Sequence, residues 1–224
     1  MQILLTVAYD GTFYAGWQRQ NNAMTVQQRL EETISGILRR TIILRAASRT
    51  DAGVHALGQR AVFNGEGLLI PLEKLPEVIN NNLPDDISVT ECMTVPDGFN
   101  PRHAAYKTYR YQIFNAPYPN PLLKRYATFV PQKLDTDAMK KAAPYFLGRH
   151  DFKSFCASGN GTESNNKVRE IYDCHISQCN DLITLTVTGN GFLYNMVRIL
   201  AGTVFYAGLK KIKPGENYEI YNPA

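Results

Sequence analysis

The chain has 224 residues, 44% apolar and 20% charged, which excludes a disordered or low-complexity protein and leaves room for one large domain or two small ones. Its net charge of +4 is unevenly spread: residues 1–105 carry −2 and residues 106–224 carry +6. The basic half suits an acidic partner, of which nucleic acid is the commonest, but a mild excess does not establish one.

Ile3 to Tyr9 reads as a strand, ended by Asp10-Gly11. The following loop, Thr12 to Gln20, interleaves aromatics, glycines and Arg19, a mixture that can stack bases and meet phosphates; the alternative is that Trp17 and its neighbours fold back onto the core. Thr25 and Gln28 form a capping box for a helix with Val26, Leu30, Ile34, Ile37 and Leu38 on one face. Strands are expected near Ile42 to Arg45 and from Gln59 to Phe63, with a loop between them that contains Arg49, Asp51, Gly53 and His55. A helix over Leu72 to Asn82, with Pro76 in its first turn, and a strand over Ile87 to Thr94 complete a β-α-β-β-α-β order, that of a ferredoxin-like half.

The pattern then begins again. Ala105 to Asn115 alternates as a strand, and a proline-rich turn follows at Pro117 to Pro121. Asp135 caps a helix with Met139, Ala142, Ala143, Phe146 and Leu147 on its apolar face. Gly148 ends it, and Gly148 to Phe152 reads as a turn. Cys156 to Lys167, rich in Ser, Gly and Asn, is expected to be a mobile loop. Val168 to Ile176 and Leu182 to Thr188 form a strand pair. Gly189-Asn190-Gly191 leads into a helix with Leu193, Met196, Val197, Leu200 and Val204 on one face. This is a second half of the same order, its last strand not evident.

Three stretches could carry chemistry. In Arg49-Thr50-Asp51-Ala52-Gly53-Val54-His55, two strands hold one small acid, and Arg49 lies two residues away. Asp51 is either a positioned anion, usable as nucleophile or base, or part of an ordinary turn. In Lys107-Thr108-Tyr109-Arg110-Tyr111, Lys107, Tyr109 and Tyr111 share a strand face, suited either to stacking on a flipped base or to cross-strand packing. Arg198 is the only charged residue between Asp181 and Lys210. It lies about 200° round the helix from Met196 and either needs an anion partner or faces solvent. The four cysteines, at 92, 156, 174 and 179, and the histidines, at 55, 103, 150 and 175, lack metal-ligand spacing, so no metal is expected. His55 and His103 read as structural or RNA-contacting. The cysteines read as reduced thiols, the N-terminus lacks a signal peptide, and no apolar run approaches the roughly 20 residues of a membrane span. A soluble, cytoplasmic protein without a membrane partner is expected.

Arg-Thr-Asp-Ala-Gly-Val-His around Asp51, Lys-x-Tyr-x-Tyr at Lys107–Tyr111 and Asn190-Gly191-Phe192-Leu193-Tyr194-Asn195-Met196-Val197-Arg198 occur in the order seen in the TruA family of tRNA pseudouridine synthases, which the chain resembles from about residue 3 to about residue 213. Tyr9-Asp10-Gly11-Thr12 through Gly16-Trp17-Gln18 resembles the same family's opening motif. The resemblance implies an α+β fold with two ferredoxin-like halves, residues 1–103 and 104–224, whose mainly antiparallel sheets join around a central active-site cleft. It implies a homodimer that converts uridine to pseudouridine at positions 38–40 of the tRNA anticodon stem-loop, without metal or small-molecule cofactor. Asp51 would be catalytic, Tyr109 would stack on the target uracil and Arg198 would pair with Asp51, with Arg49 and Lys107 as further substrate-binding residues.

Two other readings stand beside this one. A glycosidase needs two carboxylates across one bond, and only one acid sits in a motif. The other is a catalytically impaired RNA-binding homologue: loss of Asp51 would support it, and Asp51 is present, while a shortened C-terminus favours it. Family members continue past the long helix through a further helix and strand, whereas this chain stops soon after Lys211-Ile212-Lys213-Pro214-Gly215, so the second half is expected to be shortened at its end.

Overall fold

The structure, a computed structural model, describes residues 1–157 and 166–213. The chain divides into two compact units, Met1–Ala104 and Ala105–Ala224.

The first unit contains β1 (Gln2–Tyr9), α1 (Val26–Leu38), β2 (Arg45–Ala46), β3 (Ala56–Asn64), α2 (Leu75–Asn80) and β4 (Ile87–Val95), in a sheet of order β2-β3-β1-β4. All its pairings are antiparallel. Alternation along β1 buries Ile3, Leu5, Val7 and Tyr9 together with Val26, Leu30 and Ile34 of α1 and Leu75 and Ile79 of α2. The opposite face is mixed: it carries the buried Leu4 and Val62 and a polar group in which Thr6 Oγ1 and Arg60 both reach Glu91. Thr25 caps α1 by accepting the Gln28 N–H, as its capping box predicts.

Two expectations for this unit change. The apolar run Ile42–Leu44 is not a strand, although Ile42 and Leu44 are buried. Side chains of α1 take its backbone groups instead: Ser35 Oγ accepts the Ile42 N–H at 2.9 Å, Glu31 Oε1 accepts the Leu44 N–H at 2.9 Å, and Gln27 Nε2 donates to the Leu44 carbonyl at 3.1 Å. Strand pairing begins only at Arg45. The second helix is also shorter, a 3-10 turn at Leu72–Lys74 followed by α2, with Pro76 in its first turn. Asn80 at its end holds both the N–H and the carbonyl of Val89.

The second unit contains β5 (Lys107–Asn115), β6 (Thr128–Val130), α3 (Thr136–Ala142), β7 (Gly148–Asp151), β8 (Val168–Cys179), β9 (Leu182–Gly189) and α4 (Met196–Gly208), in a sheet of order β6-β5-β9-β8-β7. Ile113, Ile171, Cys174, Ile183, Leu185 and Val187 form one core with Met139, Ala143 and Phe146 and with Met196, Leu200, Ala201 and Val204 of α4. Asp135 caps α3 by accepting the Ala138 N–H at 3.0 Å.

Both extra strands were hidden by their surroundings. β6 follows a proline-rich turn and pairs in parallel with Ile113–Asn115 alone; Asn115 fixes it by donating to the Val130 and Gln132 carbonyls and accepting the Leu134 N–H. Gly148 to Asp151, read as a turn, is a strand paired with Val168–Ile171. Pro144 converts the end of the third helix to a 3-10 turn, Ala143–Phe146, and leaves Leu147 exposed. α4 begins at Met196, after Leu193, because Asn195 holds a left-handed conformation with φ 57°. Most of the expected mobile loop, residues 158–165, and the end of the chain, residues 214–224, lie outside the described residues.

Candidate active site

The loop carrying Asp51 is held by its backbone. Ahead of it, the Ala47 N–H donates to the Arg60 carbonyl at 2.8 Å and Gln59 Nε2 donates to the Ser48 carbonyl at 2.6 Å, extending the β2–β3 pairing by two residues. The Thr50 carbonyl then accepts the Trp17 N–H at 3.1 Å, and Thr50 Oγ1 lies 2.7 Å from the Tyr9 hydroxyl. Asp51 opens a turn closed by the Val54 N–H on its carbonyl at 3.2 Å, and the Gly53 N–H reaches the Tyr14 carbonyl at 3.3 Å.

Two glycines let the segment after β1 lie directly against this loop. Gly16 has φ 85°, and a Cβ there would sit 2.5 Å from the Thr50 carbonyl oxygen. A Cβ on Gly11 would overlap the Val54 carbonyl outright. Neither position admits a side chain without moving the backbone on either side of Asp51. Asp51 itself is half-buried. Among the described residues of this unit, nothing hydrogen-bonds or ion-pairs its carboxylate. Arg49 is exposed.

The aromatic loop before α1 serves the scaffold more than a ligand. Trp17 is 1% exposed and its ring lies 5.9 Å from that of Tyr9. Tyr14 is buried and donates to Asp86 at 2.7 Å; burial first, and the Asp86 carboxylate second, push its phenol up to about 12. Arg19 is tied to the buried Glu31 at 3.0 Å. Of the stacking and phosphate groups expected in this loop, Phe13, at 71% exposure, and the ion-paired Arg19 remain on the surface. His55 Nδ1 lies 3.2 Å from the Gly11 amide and 3.0 Å from Asp10 Oδ1, and Asp10 Oδ1 also accepts both the N–H and the hydroxyl of Thr12.

In the second unit, Lys107, Tyr109 and Tyr111 share the face of β5 that ends in the buried Ile113. Tyr109 meets Phe192 edge-on, ring centroids 5.0 Å apart at 78°. Tyr109 therefore has a packing partner in Phe192 while the residue stays half-buried. Tyr111 Oη pairs with Thr128 Oγ1 at 2.9 Å. Arg110 is exposed on the other face.

Arg198 stands in the first turn of α4, clear of the buried stripe Met196, Leu200, Ala201 and Val204. It is exposed, and among the described residues of its own unit it has no ion pair or hydrogen bond. The apolar sequence around it does not bury it, so desolvation does not demand an anion there.

Phe192 and the two close-packed glycines stand in the sequence only as members of motifs, with no role legible there, and Arg169 stands in none. Arg169 donates to the carbonyls of Asn166 and Val168 and lies over Gly191, where a Cβ would be 3.6 Å from its Nε; burial pushes its guanidinium below the ordinary arginine value. Only its neighbour Gly191, inside the third motif, hinted at this.

Among the described residues no three His, Cys, Asp or Glu side chains gather as metal ligands, and no helix is long and apolar enough to cross a membrane.

The profile of a family described as tRNA pseudouridine synthase matches residues 5–103 and 142–223. Those ranges contain Asp51 and Arg198, while Lys107 and Tyr109 lie between them. Proteins named tRNA pseudouridine synthase A are similar over nearly the whole chain. That of Caldicellulosiruptor saccharolyticus is 46% identical over 95% of this chain and 86% of its own length. That of Thermoanaerobacter sp. is 45% identical over 97% and 88%, and that of Bacillus licheniformis 40% over 96% and 87%.

Proposed function

Because this chain belongs to the tRNA pseudouridine synthase family, we propose that it isomerises uridine to pseudouridine at positions 38–40 of the tRNA anticodon stem-loop, with Asp51 as the catalytic acid residue. In the reaction the uracil N1–C1′ bond breaks, the base turns, C5 joins C1′, and the proton leaving C5 is balanced by one gained at N1. Nothing enters or leaves except protons, so the chemistry consumes no cofactor.

The target must first leave the stack. Tyr109, packed against Phe192, is assigned to stack on the flipped uracil. Asp51 either attacks C1′ or removes a proton from C2′. Arg198 is assigned to the Asp51 carboxylate, which an arginine keeps ionised and oriented. Arg49 and Lys107 are assigned to the RNA. A homodimer belongs to the same proposal, and light scattering at working concentration tests it.

The observation that carries the reading is the backbone fixation of the Asp51 loop. A turn needing only to reverse the chain has no use for two side-chain-free contacts and anchors at both ends, whereas a reacting carboxylate must be held close to its productive geometry. Asp51→Asn is nearly isosteric and is expected to lower pseudouridine formation on anticodon stem-loop RNA by roughly 10³-fold or more, with fold and RNA affinity retained. Substantial turnover by this variant removes Asp51 from the mechanism.

A further inference from the structure

Asp51 hangs between two anchors. The one before it centres on Thr50, held by Tyr9, Trp17 and Gly16. The one after it is Val54–His55, which grips Gly11 twice: the Val54 carbonyl lies against the glycine α-carbon, and His55 Nδ1 lies 3.2 Å from the glycine N–H. Val54 also closes the turn on the Asp51 carbonyl. Any slip of Gly11 against Val54 therefore moves the turn that starts at Asp51.

The same imidazole nitrogen has two suitors. It can accept the Gly11 N–H, or carry a proton and donate to Asp10 Oδ1 at 3.0 Å, but it cannot do both. The Asp10 oxygen already receives two donors from Thr12. Gly11 is buried, and its N–H has no other acceptor among the described residues of this unit. Leaving a buried N–H without an acceptor costs its full desolvation, whereas the carboxylate oxygen loses only a third donor. The hydrogen-bond inventory thus favours a ring that accepts at Nδ1 and carries its proton on Nε2.

We propose that His55 is a positioning residue for Asp51, acting through the Gly11 amide as a hydrogen-bond acceptor at Nδ1. The proposal rests on Asp51 being the reacting carboxylate. His55 does not touch the uridine; it fixes the anchor that follows the acid.

The test compares His55→Asn, His55→Gln and His55→Ala with the unsubstituted protein and with Asp51→Asn. The amide oxygen of asparagine falls where Nδ1 stands and can accept the Gly11 N–H, whereas that of glutamine reaches towards the Nε2 position. The readouts are the single-turnover rate of tritium release from C5-tritiated uridine in anticodon stem-loop RNA, and the RNA Kd. His55→Ala and His55→Gln are expected to lose on the order of 100-fold in rate, as a misplacement of about 1 Å can cause, with Kd unchanged, while His55→Asn recovers most of that loss. A fully active His55→Ala overturns the proposal. So does a His55→Asn no better than His55→Gln, a comparison that still decides if the alanine variant does not fold. Loss of RNA affinity in step with rate makes His55 an RNA contact and overturns it too. An active Asp51→Asn sinks the underlying reading along with this one, whereas an inactive Asp51→Asn beside a fully active His55→Ala sinks this one alone.

Discussion

The two units hold their candidate residues in opposite ways. Around Asp51 the nearest fixing contacts are mainly main-chain ones, Trp17 N–H on Thr50, Gly53 N–H on Tyr14, Val54 N–H on Asp51 and two glycines that admit no Cβ, with Tyr9, Gln59 and His55 adding side-chain bonds. Around Tyr109 and Arg198 the contacts belong to side chains: an aromatic pair with Phe192 for the tyrosine, and an exposed arginine with no ion pair among the described residues of its own unit. Backbone contacts allow few alternatives, whereas side chains change rotamer in picoseconds to nanoseconds. On the proposed reading the acid is placed before substrate arrives, and the groups assigned to the uracil and to the acid keep freedom to adjust to a flipped nucleotide.

The sharpest way to break this contrast is Gly16→Ala. The methyl group would be strained by φ 85° and would meet the Thr50 carbonyl at 2.5 Å. We expect a loss of about 1–3 kcal/mol in denaturant unfolding and on the order of 100-fold in rate. Wild-type turnover by this variant would show that the loop is not held as tightly as its contacts suggest. Tyr109→Leu should cost less, about 10- to 100-fold, matching the roughly 1–3 kcal/mol of one base–aromatic stack, with stability nearly unchanged. Tyr109→Phe keeps the stack and should recover most of that loss; if it does not, the hydroxyl rather than the ring face is what the reaction needs.

Glu31→Ala separates scaffold from chemistry. It strips the acceptor from the buried Leu44 N–H and from Gln27, and should lower stability by about 1–3 kcal/mol while leaving the rate of the folded enzyme close to wild type. The smallest effect is alkaline. Tyr14 keeps its proton in the folded chain to about 12, against an ordinary value of 10.0, so its contribution to stability is complete below pH 10 and is lost as pH rises towards 12. The thiols of Cys92 and Cys174, also pushed up to about 12 by burial, add to the same decline. Tyr14→Phe should flatten the curve of unfolding free energy against pH between 10 and 12, and an unchanged curve would place the loss elsewhere.

The sequence exposed elements whose partners are near in pattern. Strand alternation in β1, β4, β5, β8 and β9 and the caps at Thr25 and Asp135 were legible because each is written in adjacent residues. Ile42–Leu44 was misread because apolar, β-branched residues satisfy a strand pattern whatever takes their backbone groups, and here side chains thirteen and seven positions earlier take them. β6 and β7 were invisible because three or four residues beside prolines or a glycine carry no period. In the candidate site, Asp51 and Tyr109 were found through motifs. Gly11 and Gly16 were quoted within a motif, yet their purpose lies about 40 residues away in the chain and shows only when the missing Cβ is placed against Thr50 and Val54. The helical spacing sets Arg198 off the apolar stripe, either needing an anion or facing solvent, and it is exposed in the first turn of α4.

The tether between α1 and Ile42–Leu44 also bears on the order of folding. Its bonds span separations of seven and thirteen residues, whereas the side-chain bond across the β1–β4 edge spans 85. Closing a short loop loses less entropy and takes well under a microsecond, so a helix able to seize its own following segment has a local nucleus that needs no sheet. β1 must wait for partner strands that begin only at Ala56 and Ile87. In pulsed hydrogen exchange during refolding, the Leu44 amide should become protected before those of β1, although it belongs to no ladder in the finished sheet.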